Sequence, residues 1–369
     1  MNRTIGIAPF LSLIVLLAAC SQPRSGNQEG TTSTSSRAAT PAPAVMSEEG
    51  VVYTANERGN SISAIDVSTG HVRDVATPMT PHNVQVSRDG RLLLAVGPAA
   101  DMTGNQSPMK MTDGGKMVRG RLLILDAETL AVESAVNMEI GRHPAHVIVD
   151  PEGKRAYATN SEDNNVLVID VAQRQVIGEI KTRKFPHGLR MSPNGREIYV
   201  ANVDDDSVSV IDTVQSKEVA RIPVGRAPVQ VAFTPDGGRA YVSLRDEDNV
   251  AVIDTRRRRK VAAIAVGRNP IQVFVTPDGR HVYVANQGTE ANPDNTVSVI
   301  DTETNGVIAT IETGKGAHGV VVGSDGKRAF ITNIVDNTVA VIDTATQKVI
   351  KTIKVGDGPN GVTFRGANR

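Results

Sequence analysis

One cysteine and no tryptophan occur in 369 residues. No Cys-x-x-Cys-His is possible with a single thiol, so no covalent c-type haem is expected. Aromatic residues make up only 3% of the chain. That leaves few stacking platforms for single-stranded nucleic acid or for sugars. An excess of one charge is also missing, since Lys+Arg and Asp+Glu are both 40. The chain therefore has no bulk attraction to polyanions, and nucleic acid is not an expected partner. Neither a Gly-x-Ser-x-Gly elbow nor a phosphate loop occurs, so the sequence assigns no catalytic residue.

The lone cysteine ends an export-type leader. Arg3 supplies a short basic region, and residues 5–17 form an apolar stretch. Leu17-Ala-Ala-Cys20 then reads as a bacterial lipobox, in which the Cys20 thiol takes a diacylglyceryl group. The expected organisation is a signal peptide over residues 1–19, a lipidated tether over 20–49 and a folded domain over 50–369. The tether is rich in Ser, Thr, Gly, Pro and Ala and cannot bury enough surface to offset its ordering entropy. Its root-mean-square span is on the order of 30 Å. Ser21 after the cysteine resembles lipoproteins sent to the outer membrane of Gram-negative cells. The expected location is the envelope, lipid-anchored and facing the periplasm, with the cell surface as the alternative.

What the chain does contain is a repeat. One strand-like run ends at Tyr53-Thr-Ala-Asn56, Leu94-Ala-Val-Gly97, Tyr157-Ala-Thr-Asn160, Tyr199-Val-Ala-Asn202, Tyr241-Val-Ser-Leu244, Tyr283-Val-Ala-Asn286 and Phe330-Ile-Thr-Asn333. The next run closes at Asp66, Asp126, Asp170, Asp212, Asp254, Asp301 and Asp343. Another opens at Pro81, Pro144, Pro186, Pro228, Pro270, Ala317 and Pro359, with a dominant period of 42 residues. A period of about 40–45 with four strand-like runs per unit is the signature of a β-propeller. The runs, named A to D, are Val- and Ile-rich and separated by turn chemistry such as Pro235-Asp-Gly-Gly238. The reading is an all-β, seven-bladed β-propeller with four-stranded blades. The chain enters at strand B and leaves at strand A, residues 361–364. The C-terminal strand is therefore expected to complete the N-terminal blade and close the ring, as a monomer.

Tyr283-Val-Ala-Asn286, Val299-Ile-Asp301 and Thr276-Pro-Asp-Gly279 resemble the YVTN repeat family. That family includes surface-layer-like proteins and YncE-type periplasmic propellers, and the resemblance covers residues 50–366. It implies a scaffold or binding protein more often than an enzyme. More distant relatives include the haem domain of cytochrome nitrite reductases, the heavy subunit of amine dehydrogenases and the propeller lactonases. They imply a rival reading, a cofactor-handling or oxidoreductase-associated propeller in a haem or quinone pathway.

Two features break the repeat. From the end of strand B to the strand C aspartate there are 10 residues in five copies, but 29 after Gly97 and 15 after Asn286. The first insertion, residues 98–120, carries Met102, Met109, Met111 and Met117 with Lys110 and Lys116. Long loops on a rigid scaffold are where function concentrates. The second feature is histidine. His82, His146, His187 and His318 fall one or two residues after the proline position, where other blades hold Gln230, Gln272 and Asn360. Asn83 follows His82, and His143 adds a fifth imidazole near His146. These residues begin the innermost strand and are expected to ring the channel mouth as a site for a small-molecule or protein partner. Histidines with an ordinary pKa would titrate near neutral pH there and serve the rival reading as base or axial ligand.

Imidazole with thioether suits Cu(I), and imidazole alone suits Zn or Cu(II). His82, His146, Met109 and Met111 are thus the candidate metal ligands, although no local ligand spacing ties them together. The competing reading is that the mouth residues satisfy backbone groups of the D–A loop. The acidic turns at 204–206, 162–163 and 246–248 lack calcium-loop spacing and read as Asx turns. The basic run at 256–260 reads as a solvated turn on the opposite face, with lipid headgroups or nucleic acid as alternatives.

Overall fold

The computed structural model describes residues 49–99, 120–138 and 142–367. Cys20, the tether to residue 48, and Met109 and Met111 of the insertion lie outside the described residues. Seven antiparallel sheets of four strands form the ring. Blade 5 shows the unit: strand A is Pro228–Phe233, B is Arg239–Leu244, C is Asn249–Asp254 and D is Arg259–Ala265. Single-turn 3-10 segments at Val203–Asp205 and Arg245–Glu247 are the only helical pieces among the described residues.

Alternation along the strands assigns each side chain to one of two neighbouring cores. In blade 5, Val250 and Val252 enter one interblade cluster while Ala251 and Ile253 enter the other. A strand buried on both faces reads as a continuous apolar run, and fully burying one Val or Ile contributes about 1.5–3 kcal/mol. The aromatic of the signature is the largest piece of these cores, with Tyr53, Tyr199, Tyr241 and Tyr283 all fully buried. The strand C aspartates are turn formers: Asp254 Oδ1 accepts from Arg257 N at 2.8 Å, and Asp301 Oδ1 from Thr304 N at 2.8 Å.

Ring closure follows the expected route. Strand A of blade 1 is Pro359–Gly366, and it pairs antiparallel with Gly50–Asn56, matching Thr363 with Tyr53 and Arg365 with Val51. The basic run is largely spent on internal bonds. Arg257 pairs with Asp254 at 2.7 Å, Arg258 reaches Glu197 of the previous blade at 2.6 Å, and Lys260 donates to Val224 O at 2.6 Å.

Side chains of the B–C turns place the loops that enter blades 4, 5 and 6. Asp206 Oδ1 accepts from Ala227 N at 3.0 Å, and Asp248 Oδ1 from Asn269 N at 2.8 Å. Asn164 does the same for Phe185 N at 2.9 Å. Each acceptor sits at positive φ in a B–C turn, and each donor sits at positive φ just before the next blade's proline position. That bond fixes where strand A begins, and so where the mouth residues stand.

Candidate functional site: histidines at the channel mouth

A bulge lets two successive residues of strand A face the mouth. In blade 4, Pro186 pairs with Asn202, but the next matched pair is Leu189 with Val200. The same slip follows the first strand A residue in blades 3, 5, 6 and 7. Two residues then oppose one, and the strict in-out alternation of a strand is suspended. Side-chain volume is shared accordingly. His187 precedes Gly188, where a Cβ would lie 2.3 Å from Val229 O. In blades 3 and 5 the small or apolar residue comes first, giving Ala145 with His146 and Val229 with Gln230.

Three imidazoles from three blades meet at the mouth: His146 and His187 come from slipped strands, and His82 precedes the regular pairing of Asn83 with Val96. His82 Nε2 lies 3.2 Å from His187 Nε2. One ring nitrogen from each of His82, His146 and His187 falls within 4.8 Å of the others. The rings pack edge to face or tilted, with His82 and His146 centroids 5.8 Å apart and His146 and His187 4.9 Å apart. His143 packs on His82 at 6.2 Å and on Phe185 at 5.7 Å. His318 is buried, and its Nδ1 has no partner among the described residues.

Charge at the mouth is organised by Glu57. Its Oε1 accepts from His82 Nδ1 at 3.1 Å, and its Oε2 accepts from Asn360 Nδ2 at 2.6 Å. Burial works to raise the Glu57 carboxyl, but the charge and hydrogen bond of His82, with the Asn360 amide, outweigh it and bring it down to about 2. Burial and then the charge of His82 push His143 and His318 down to about 4. Burial and neighbouring imidazoles hold His146 and His187 well below the ordinary histidine value. The expectation of mouth histidines titrating near neutrality fails for these four, because the closed ring desolvates them.

Beneath the imidazoles the channel holds a cavity of about 220 Å³, lined by Asn83, His146, Arg190, Gln230, Gln272 and Phe274 among others. Arg190 is the one cation in that lining; burial lowers it to about 10. Its guanidinium lies 5.6 Å from the Phe274 ring centroid.

Of the residues singled out from sequence, His82, His146 and His187 converge, and Asn360 joins them through Glu57. Gln230 also meets the group: its Nε2 reaches His146 Nδ1 at 3.3 Å. Asn83 Oδ1 accepts from Val147 N at 3.4 Å, a backbone role. Gln272 faces the cavity with its amide nitrogen unpartnered among the described residues. Sequence reasoning missed Glu57 and Arg190. The residues after strand B are Glu57, Pro98, Ser161, Val203, Arg245, Gln287 and Ile334, so Glu57 is the lone acid at that position. Four residues after the proline position stand Gln85, Ile148, Arg190, Ala232, Phe274, Val321 and Thr363, so Arg190 is the lone charge.

Comparison with known proteins agrees with this architecture. Residues 242–368 match the YNCE-like beta-propeller family, and residues 142–286 match the cytochrome D1 heme domain. No curated relative matches the chain in sequence. Among solved structures, hydrazine synthase of Kuenenia stuttgartiensis superposes with a TM-score of 0.64 at 22% identity, covering 79% of this chain and 97% of that one. A functionally unknown protein of Desulfotomaculum acetoxidans DSM 771 gives 0.68 at 16% identity, covering 86% of this chain and 99% of that one. At these identities the likeness is one of fold. The seven four-stranded blades make the described chain a β-propeller, and its residues 242–368 are similar to the YNCE-like family.

Proposed function

We propose that the protein is a lipid-tethered binding propeller of the bacterial envelope that receives a ligand or partner over its histidine-bearing channel mouth. The observation that carries this reading is the convergence of His82, His146 and His187 from three blades onto one point, backed by Glu57 and Asn360. A purely structural mouth needs no such convergence. The lipobox at Cys20 supports attachment to the membrane, and the 98–120 insertion supports a partner surface on the same face. Nothing in the arrangement supplies an activated nucleophile, and the reading is non-catalytic.

Two measurements test it. Mass spectrometry of the mature protein should find an acylated Cys20 at the N-terminus; an unmodified start elsewhere would remove the anchor. For the face, capture from envelope extract is compared between two variants. One has the insertion shortened to the common loop length with His82 and His146 changed to Ala, and the other has residues 256–259 changed to Ser. The first should lose its partner and the second keep it. The reverse result sinks the assignment.

The match to the cytochrome D1 heme domain favours a second reading, in which the mouth histidines bind haem. The residues do not fit that group. The imidazoles pack directly on one another, and the cavity beneath them, about 220 Å³, falls short of the roughly 300–1,000 Å³ of small-molecule pockets.

A further inference from the structure

We propose that His82, His187 and His146 form a binding site for one divalent transition-metal ion of the Zn2+ or Cu2+ class. This deepens the reading of the mouth as a binding site and rests on it.

The argument begins with tautomers. A carboxylate and a carbonyl can only accept hydrogen bonds, so the ring nitrogens facing them carry the protons. His82 Nδ1 faces Glu57 Oε1 at 3.1 Å, the Asn360 amide nitrogen 3.2 Å from it donating to Glu57 Oε2 at 2.6 Å, and His187 Nδ1 faces Val229 O at 3.4 Å. In the neutral rings both Nε2 atoms therefore present lone pairs, and these stand 3.2 Å apart. Two lone pairs at that distance repel unless a cation lies between them. A proton can serve, and so can a metal ion. Zn–N bonds are about 2.0–2.1 Å, so two ligands on a tetrahedron stand about 3.3–3.4 Å apart. The His82 and His187 pair, at 3.2 Å, is already close to that spacing.

The outer contacts follow the pattern of metal-binding histidines. Such rings donate their second N–H to a carboxylate or a backbone carbonyl, which orients them and raises their basicity. Glu57 plays that part for His82 and Val229 for His187, with Glu57 itself held by Asn360 Nδ2 at 2.6 Å. His146 supplies the third ring. It is 3% exposed, and its Nε2 is buried without a partner among the described residues. Val231 N donates to Gln230 Oε1 at 2.8 Å, which turns the Gln230 amide nitrogen toward His146 Nδ1. In the resting state His146 thus carries its proton on Nε2. Ligation moves that proton to Nδ1 and reorients Gln230. His146 is therefore the ligand that adjusts, and His82 with His187 is the pair already set. A site of imidazoles alone suits Zn or Cu(II) rather than Cu(I).

The test uses the full chain purified from membranes in detergent and stripped with chelator, then titrated with ZnCl2 and CuCl2 by calorimetry. One equivalent should bind. His82→Ala and His187→Ala should each weaken binding by 100-fold or more. Glu57→Gln should weaken it about 10–100-fold, the range for outer-shell partners. Gln230→Glu should strengthen it, because a carboxylate accepts the His146 Nδ1 proton that an amide nitrogen cannot. His71→Ala and His281→Ala, outside the mouth, should change nothing. Because a mouth variant can fail by misfolding, X-ray absorption on the zinc-loaded wild-type protein must also show imidazole scattering from the three rings. Binding that survives the His82→Ala/His187→Ala double change, or no binding at all, overturns the proposal in favour of a shared proton. Partner capture by chelator-stripped wild-type protein separates the two readings. If it persists while metal binding is absent, the mouth remains a binding face and only the metal assignment falls.

Discussion

Thr159 Oγ1 donates to the His187 carbonyl at 2.7 Å and accepts from His146 N at 3.0 Å. One hydroxyl at the third position of the repeat signature thus clasps strand A of its own blade and strand A of the next. Ser243 repeats the arrangement with Gln230 N and Ile271 O, and Thr332 with Gly319 N and Asn360 O. The bulges that aim the mouth side chains are held by these hydroxyls. Removing one leaves a buried donor and a buried acceptor unpaired, each worth about 1–3 kcal/mol. Thr159→Val should therefore destabilise the protein by about 2–6 kcal/mol, whereas Thr159→Ser should lose little. Urea unfolding of both variants decides this, and equal midpoints would show that the hydroxyl is dispensable.

Deleting residues 359–369 removes the inner strand of blade 1 and the pairing of Thr363 with Tyr53. Thermal unfolding should shift down by on the order of 10 °C or more, since about 1 kcal/mol corresponds to roughly 2–4 °C in domains of 150–250 residues. An unshifted transition would mean that ring closure contributes nothing.

The signature tyrosines are equally buried but not equally satisfied. Tyr283 OH donates to Gln347 Oε1 at 3.0 Å, while Tyr199 OH is buried without a partner among the described residues. Tyr283→Phe should cost about 0.5–1.5 kcal/mol and Tyr199→Phe should be neutral or stabilising. Chemical denaturation measures both; the opposite order would contradict the hydrogen-bond pattern.

Acid should weaken the metal-free protein in a defined window. His143 and His318 fall to about 4 from 6.5 on folding, and His146 and His187 also fall. Between these values the unfolded chain binds more protons than the folded one, so stability is complete above pH 6.5 and is lost as pH drops toward 4. The slope is at most about 1.4 kcal/mol per pH unit per group. Glu57, lowered to about 2 from 4.5, adds a further loss as pH falls below 4.5. Urea midpoints at pH 7.5 and 5 check the sign, and His318→Gln should flatten the dependence. A midpoint that rises on acidification would refute the buried-neutral assignment.

The blades were legible in the sequence because their determinants are local and repeated. Alternating Val and Ile, an aspartate that turns the chain after strand C and a proline that starts strand A recur every 42 residues in the regular copies. The closing strand was legible too, since a chain beginning at strand B lacks only strand A. Histidine placement marked the end of strand A where His82, His146 and His187 converge, and the lone acid at Glu57 was readable as a break in its column. What tertiary structure alone decided is which of these residues meet. His82 and His187 are 105 residues apart, and Glu57 and Asn360 are 303 apart. No ligand spacing along the chain encodes either pair. Ring curvature brings alternate blades together across a narrow mouth, and the strand A bulge turns adjacent positions toward the same point. That same enclosure strips water from the imidazoles and lowers their pKa values, because desolvation belongs to the closed ring and not to any one repeat.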